Sequence, residues 1–249
     1  MTETPSTALA PQPSSPPALY RREEAQCMGP YFVSQEPPLF LSAVLHSDIP
    51  EMVRILNLDD SVFRNSSYFK FPYPEDLART HVARADRVIE SQGVNAHWAM
   101  RTSPDGKIMG WLSLHPIKPK PPTATEATTA AAVGATSENA LSHPLVPKVK
   151  EGRTGYWVSP EYRNQGYARR ALAYLLNEIA AKEQGFDLVR ADAYAENLAS
   201  QRVMERAGMV LQSTDHIVTV EAYGPGVQKR SASFSWWSPL SAHPIVSND

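Results

Sequence analysis

The chain is poor in cysteine: Cys27 is the only one in 249 residues. That excludes an internal disulfide framework and any multi-cysteine metal cluster, and it points to a reducing compartment, cytosol or nucleus. It also lacks an excess of either charge, with 24 Lys and Arg against 26 Asp and Glu. A nucleic-acid binder would carry a basic excess on its domain. Long apolar runs are missing too. Nothing approaches the roughly 18 residues that would span a bilayer. The stretch Met1 to Pro17 has no basic start followed by an apolar segment, so no secretory signal is expected.

What the chain has in quantity is proline, 22 of them, alongside 42% hydrophobic residues, enough for a packed core. Eight prolines precede Leu39, with Ser, Thr and Ala between them up to residue 20. Such a stretch cannot bury enough apolar surface to offset an ordering cost of roughly 1–2 kcal/mol per residue. Residues 1–38 are therefore expected to be a disordered tail. A second biased stretch, 116–150, carries six prolines and the low-complexity run from Thr123 to Val133, and is expected to be a loop-like insertion. Residues 241–249 are expected to be a flexible end. Residues 39–240 without the insertion suit one domain.

Within that domain the pattern predicts a strand at Leu39–Leu45, then a helix with Pro50 and Glu51 in its first turn. A helix opening at Pro74 repeats apolar residues near every 3.6 positions and stops at Gly93. Strands Ala96–Arg101 and Lys107–Leu114 flank the turn Ser103–Gly106. The second half reads as a strand at Gly155–Val158, a helix Gly166–Gln184 and a strand Leu188–Tyr194. A short helix Leu198–Arg206 and strands Ile217–Ala222 and Ser231–Trp237 complete it. This order predicts a mixed α/β (α+β) domain with one central sheet.

The turn before the long helix is the chemically informative feature. It combines Arg163, Asn164, Gln165, Gly166, Tyr167, Ala168 and Arg169 at a helix start. Unpaired backbone N–H groups, the positive end of the helix dipole, a glycine and nearby arginines together suit a pyrophosphate. A dinucleotide fold would need G-x-G-x-x-G, and only one of those glycines is present. Further on, Asn197, Ser200 and Met204 fall at i, i+3 and i+7 of the short helix and share a face.

Taken together, Arg163-x-x-Gly166-x-Ala168 and Asn197-x-x-Ser200 running to Gly208-Met209 resemble the GNAT family of acetyl-CoA-dependent N-acetyltransferases. The segment Gly155-Tyr156-Trp157-Val158 resembles the Rim-type branch, the ribosomal-protein N-terminal acetyltransferases. The resemblance implies a single, mostly antiparallel mixed sheet with helices on both faces and a V-shaped splay between the two central strands. It implies acetyl-CoA as co-substrate, no metal, and direct transfer to an amine-bearing acceptor, a small molecule or a protein. Nucleic acid and membrane are not expected as partners, and the chain is expected to be a monomer or homodimer.

By the same resemblance, the Val158 N–H is a candidate donor to the thioester oxygen, backbone N–H groups from Asn164 to Arg169 would hold the pyrophosphate, and Asn197 would bind the pantetheine arm. Many members place a tyrosine where this chain has Met204, which cannot donate a proton. Ser200 is then the candidate thiolate stabiliser. Arg153 stands where the Rim-type branch usually has an acid, so the general base stays open among His97, Asp192, Glu196 and Glu221. The five tryptophans with Tyr156 could form a stacking site, though strand tryptophans more often fill the core. A non-catalytic acyl-CoA-binding adaptor with a proline-rich tail is the alternative function.

Overall fold

In a computed structural model the described residues are 20–117, 149–220, 223 and 226–241. Most of the expected tail (1–19), most of the expected insertion (118–148), the end of the chain (242–249) and Glu221 lie outside them. One sheet of eight strands organises the rest. They are β1 (Tyr31–Ser34), β2 (Leu39–Ala43), β3 (His97–Arg101), β4 (Gly110–Pro116), β5 (Glu151–Val158), β6 (Leu188–Tyr194), β7 (Val210–Thr219) and β8 (Gln228–Trp237). The spatial order is β1-β2-β3-β4-β5-β6-β8-β7, and every neighbouring pair is antiparallel except β5–β6.

Because strand side chains alternate between faces, each face has its own core. On one, Trp98, Met100, Leu112, Leu114 and Val158 pack with α4 (Tyr167–Tyr174), which continues as π-type winding over Leu175–Glu183. On the other, Ala99, Trp111 and Trp157 meet α1 (Ile49–Leu56) and α3 (Glu75–Gln92), with α2 (Ser61–Arg64) between those helices in the chain. The last helix, α5 (Leu198–Arg206), follows β6. Asp48, just ahead of α1, receives both Arg101 Nη atoms at 2.7 and 2.8 Å, a buried pair that fixes α1 against β3.

Two expectations need correction. The described part of the expected tail, residues 20–38, carries β1, and the Trp98 indole donates to the Cys27 carbonyl at 2.8 Å. Average composition hid the short apolar run Tyr31-Phe32-Val33, which pairs with β2. The strand expected at Ile217–Ala222 is instead β7, Val210–Thr219. Most of its side chains are exposed, so it offers no alternation to read.

β5 and β6 run together for only three residue pairs, Glu151–Leu188 to Arg153–Arg190, and then part. β4 meanwhile stays paired with β5 as far as Gly110–Val158. The expected V-shaped splay is thus present, between β5 and β6.

Candidate active site

The splay exposes one edge of β5, and backbone parity says which groups lie on it. Ile117 N–H reaches Glu151 O and Ser159 N–H reaches Met109 O, both at 2.8 Å, so the odd-numbered residues of β5 bond toward β4. The N–H groups of Thr154, Tyr156 and Val158 therefore face the side that β6 has left. Val158 itself is largely buried, and its carbonyl accepts from Arg163 Nε at 3.3 Å.

The turn before α4 bends through two left-handed residues, Asn164 (φ 61°) and Gly166 (φ 80°). The first backbone bond of the helix runs from Arg170 N–H to Gly166 O, 3.1 Å. Among the described residues no acceptor meets the N–H groups of Gln165 to Ala168. A helix start leaves such donors orphaned and electropositive, which is what an anion requires. Side-chain charge is distributed less simply. Arg163 pairs with Asp59 at 3.1 Å and donates to Ser61 Oγ at 2.7 Å, so its charge is balanced and it ties the turn to the start of α2. Arg170 donates back to Gln165 O at 3.0 Å. Arg169 is exposed and makes no ion pair among the described residues. Tyr167 faces inward and is buried, leaving Ala168 half-buried against the same core.

A cavity of about 590 Å3 reaches from Asn197 at the start of α5, and Ser200 and Met204 on it, across Tyr156 to α3. Asn197, in the cavity lining, caps α5: its side-chain oxygen accepts from Ser200 N–H at 3.2 Å, and its amide NH2 has no partner among the described residues. Ser200 Oγ lies 2.8 Å from the Tyr156 hydroxyl, which also reaches the Ser200 carbonyl at 3.1 Å. With the phenol donating to that carbonyl, the serine hydroxyl donates to the phenol oxygen; with the phenol donating to Ser200 Oγ instead, the serine O–H is free to donate elsewhere. Burial pushes the Tyr156 phenol up, against the opposing Ser200 hydrogen bond, so the pair keeps its protons at neutral pH. Met204 is buried beside them.

Of the open base candidates, His97 and Asp192 line the cavity. Asp192 pairs with Arg153 at 3.2 Å, so a carboxylate stands beside Arg153 from the neighbouring strand. Glu196 is tied to Lys229 at 2.7 Å and is not part of the lining. His97 has no partner for either ring nitrogen, and the Thr154 hydroxyl is also unpartnered; both are buried in the lining. Each such group costs about 1–3 kcal/mol when left unmet. Of the tryptophans, Trp111 and Trp157 line the cavity while forming core, Trp98 and Trp236 are buried and Trp237 is exposed. No cluster of metal-ligating side chains occurs among the described residues.

Three residues escaped the sequence reading of the site. Tyr156 was named only for its ring, beside the tryptophans, and the partner of its hydroxyl lies 44 positions away. His81 and Arg84 sit on α3, whose apolar stripe dominated the pattern.

The model of one family, the acetyltransferase (GNAT) domain, matches residues 39–210, more than half of the chain. No curated protein matches the sequence. Solved structures with the same architecture include RimL, a ribosomal L7/L12 alpha-N-protein acetyltransferase in complex with coenzyme A. It aligns with TM-score 0.58 and 15% identity, covering 85% of this chain and 100% of that one. A GNAT-family acetyltransferase from Bacillus anthracis aligns at 0.56 with 16% identity over 80% and 94% of the two chains. The microcin C7 self-immunity acetyltransferase MccE, in complex with acetyl-CoA and AMP, aligns at 0.54 with 13% identity over 82% and 94%. At these identities the likeness is one of fold.

Proposed function

Because the chain belongs to the acetyltransferase (GNAT) domain family, we propose that it moves the acetyl group of acetyl-CoA directly onto a primary amine, with both substrates bound together. The observation that carries this reading is the Ser200–Tyr156 hydroxyl pair in the lining of the cavity, where β5 has parted from β6. An acetyl-binding site needs donors for an oxygen that gains charge and a proton source for a departing sulfur, and both stand here.

The residues fit the cofactor. Backbone N–H groups of Gln165 to Ala168 would hold the pyrophosphate, with Arg169 adding charge. Gly166 keeps the approach open, since a Cβ there would meet Arg170 Nη1 at 2.6 Å and would need a left-handed backbone. The Asn197 amide would take a carbonyl of the pantetheine arm. When bound, acetyl-CoA supplies an acyl carbon activated by its thioester.

The chain's own contribution is positioning and proton management. The N–H of Val158, on the free edge of β5, would donate to the carbonyl oxygen as it becomes anionic. The amine nitrogen forms its bond to the acetyl carbon as the carbon–sulfur bond breaks, and the sulfur keeps the electron pair. Ser200 would give that sulfur a proton or a hydrogen bond, and Tyr156 would orient the serine and replenish its proton. The nitrogen sheds a proton to water or to a group lining the cavity.

The test is release of free thiol from acetyl-CoA by the purified protein with a panel of primary amines, with the acetylated amine identified by mass. Acceptor-dependent release is expected. Binding of coenzyme A with no acceptor-dependent release would overturn the reading and leave the non-catalytic acyl-CoA-binding adaptor.

A further inference from the structure

The end of the cavity away from Ser200 has a charge pattern that acetyl transfer by itself does not require. α3 presents His81 and Arg84 to it, three residues apart and so on one helix face. β3 and β4 present His97 and His115, whose rings lie 4.5 Å apart and tilted by 65°. His97 is 6% exposed, and both of its ring nitrogens are unpartnered. Its neutral ring therefore holds one donor and one acceptor in reserve.

His81 is oriented by Tyr73. The buried Tyr73 hydroxyl lies 2.8 Å from His81 Nδ1, its one partner among the described residues. A buried phenol must donate somewhere, so it donates to Nδ1 and the ring proton sits on Nε2, an N–H donor. Burial, and after it the Arg84 charge, holds His81 and His115 below the usual histidine range. The same burial, with His115 and Arg84, takes His97 down to about 3. At neutral pH these rings are uncharged hydrogen-bond donors beside one cation.

Apart from those histidines, the charged residues in the lining are Arg84, Arg153 and Asp192, and the last two neutralise each other at 3.2 Å. Arg84 has no ion pair among the described residues. Among the described residues no free carboxylate lines this wall to hold a second ammonium. The floor between the wall and β5 is open: His97, Ser113 and Gly155 form one cross-strand row, and a Cβ on Gly155 would meet only Ser113 Oγ, at 3.9 Å.

We propose that Arg84, His81, His97 and His115 form a subsite for an anionic group of the acceptor, so that the amine acetylated is a small one also bearing a carboxylate or phosphate. This rests on the acetyl-transfer reading of the same cavity. Guanidinium and imidazole N–H groups bind either oxyanion, with charge assistance from Arg84. An acceptor with a second cation meets Arg84 unfavourably, which adds selection by repulsion.

The experiment compares acceptors of matched reach: β-alanine, propylamine and 1,3-diaminopropane for the carboxylate, and O-phosphoethanolamine against ethanolamine for the phosphate. Two readouts are taken on wild type, Arg84→Gln and Arg84→Lys. One is kcat/KM by thiol release, and the other is calorimetric binding to the coenzyme A-loaded protein, which needs no turnover. We expect at least one anion-bearing amine to exceed its neutral counterpart about ten-fold or more in kcat/KM, the scale of one charged hydrogen bond. Arg84→Gln should collapse that ratio toward one, and Arg84→Lys should retain most of it. The two pairs of amines tell carboxylate from phosphate. An equal or better response to propylamine, ethanolamine or diaminopropane, or a ratio that Arg84→Gln leaves unchanged, overturns the subsite alone. Binding of an anion-bearing amine that is lost in Arg84→Gln, without thiol release from any amine, keeps the subsite and overturns acetyl transfer. Neither binding nor release with any of them overturns both.

Discussion

In the proposed reaction the hydroxyl pair Ser200–Tyr156, brought together from α5 and β5, would carry the proton chemistry of the site. Ser200→Ala removes the group proposed to meet the departing sulfur, and Tyr156→Phe removes its hydroxyl partner. Each is expected to lower kcat about 10- to 100-fold while leaving KM for acetyl-CoA within a few-fold, because neither holds the cofactor in the ground state. Steady-state kinetics at saturating amine checks this. An unchanged kcat in Ser200→Ala would remove the serine from the mechanism. Half of this pair was legible in the sequence. Asn197, Ser200 and Met204 share a face by helical spacing alone, and the structure puts all three in the cavity lining. Tyr156 was not legible as a partner, since nothing in a linear pattern links a strand residue to a helix three elements later. His81 and Arg84 were hidden for a different reason: polar residues on a helix read as its solvent face unless a cavity is known to lie there.

At the scale of elements, the turn into α4 depends on two left-handed residues in sequence positions 164 and 166. Asparagine tolerates that conformation and glycine is free in it, whereas a Cβ adds a cost of about 1–2 kcal/mol. Gly166→Ala is therefore expected to lower unfolding free energy by about 1 kcal/mol. It should also weaken coenzyme A binding more than that loss alone explains, because the displaced Arg170 head and rotated N–H groups bear on the pyrophosphate. Urea denaturation and calorimetry separate the two effects. Coenzyme A affinity equal to wild type would show that the turn does not bind it. The helices were legible because burial on one face imposes a 3.6-residue period, as in Ala78, Val82, Ala85 and Ile89 of α3. The sheet edges were not. β1 is four residues long beside prolines, and β7 faces solvent along most of its length, so neither carries the alternation that half-buried strands show.

For the whole molecule, the buried imidazoles make stability depend on pH. The folded pKa of His97 is about 3, below its ordinary value of about 6.5, so protons bind the unfolded chain preferentially. Its contribution is intact above about pH 6.5 and is lost as pH falls from there toward 3. Between pH 7 and pH 5 it should cost about 2 kcal/mol of unfolding free energy, with His81 and His115 acting in the same direction. Urea midpoints at the two pH values measure this, and His97→Asn should flatten the difference. An equal slope in that variant would exclude His97 as the source. The order of elements was enough to name one mixed sheet, because each strand and helix must bury its apolar side against another. The place where two strands part could be named only by resemblance, since parting leaves no mark in either strand's composition.

The short contact between β5 and β6 also makes the sheet mechanically uneven. β4–β5 and β6–β8 are each zipped over seven residue pairs, while three join the halves. Widening the opening therefore loads the three-pair seam between the two halves and leaves both long ladders intact. The helix α4 backs that seam from the opposite face, through a core drawn from both halves, including Leu112, Leu114, Val189 and Phe234. A change in the width of the opening would therefore act on this short seam while the groups on either side keep their internal spacing.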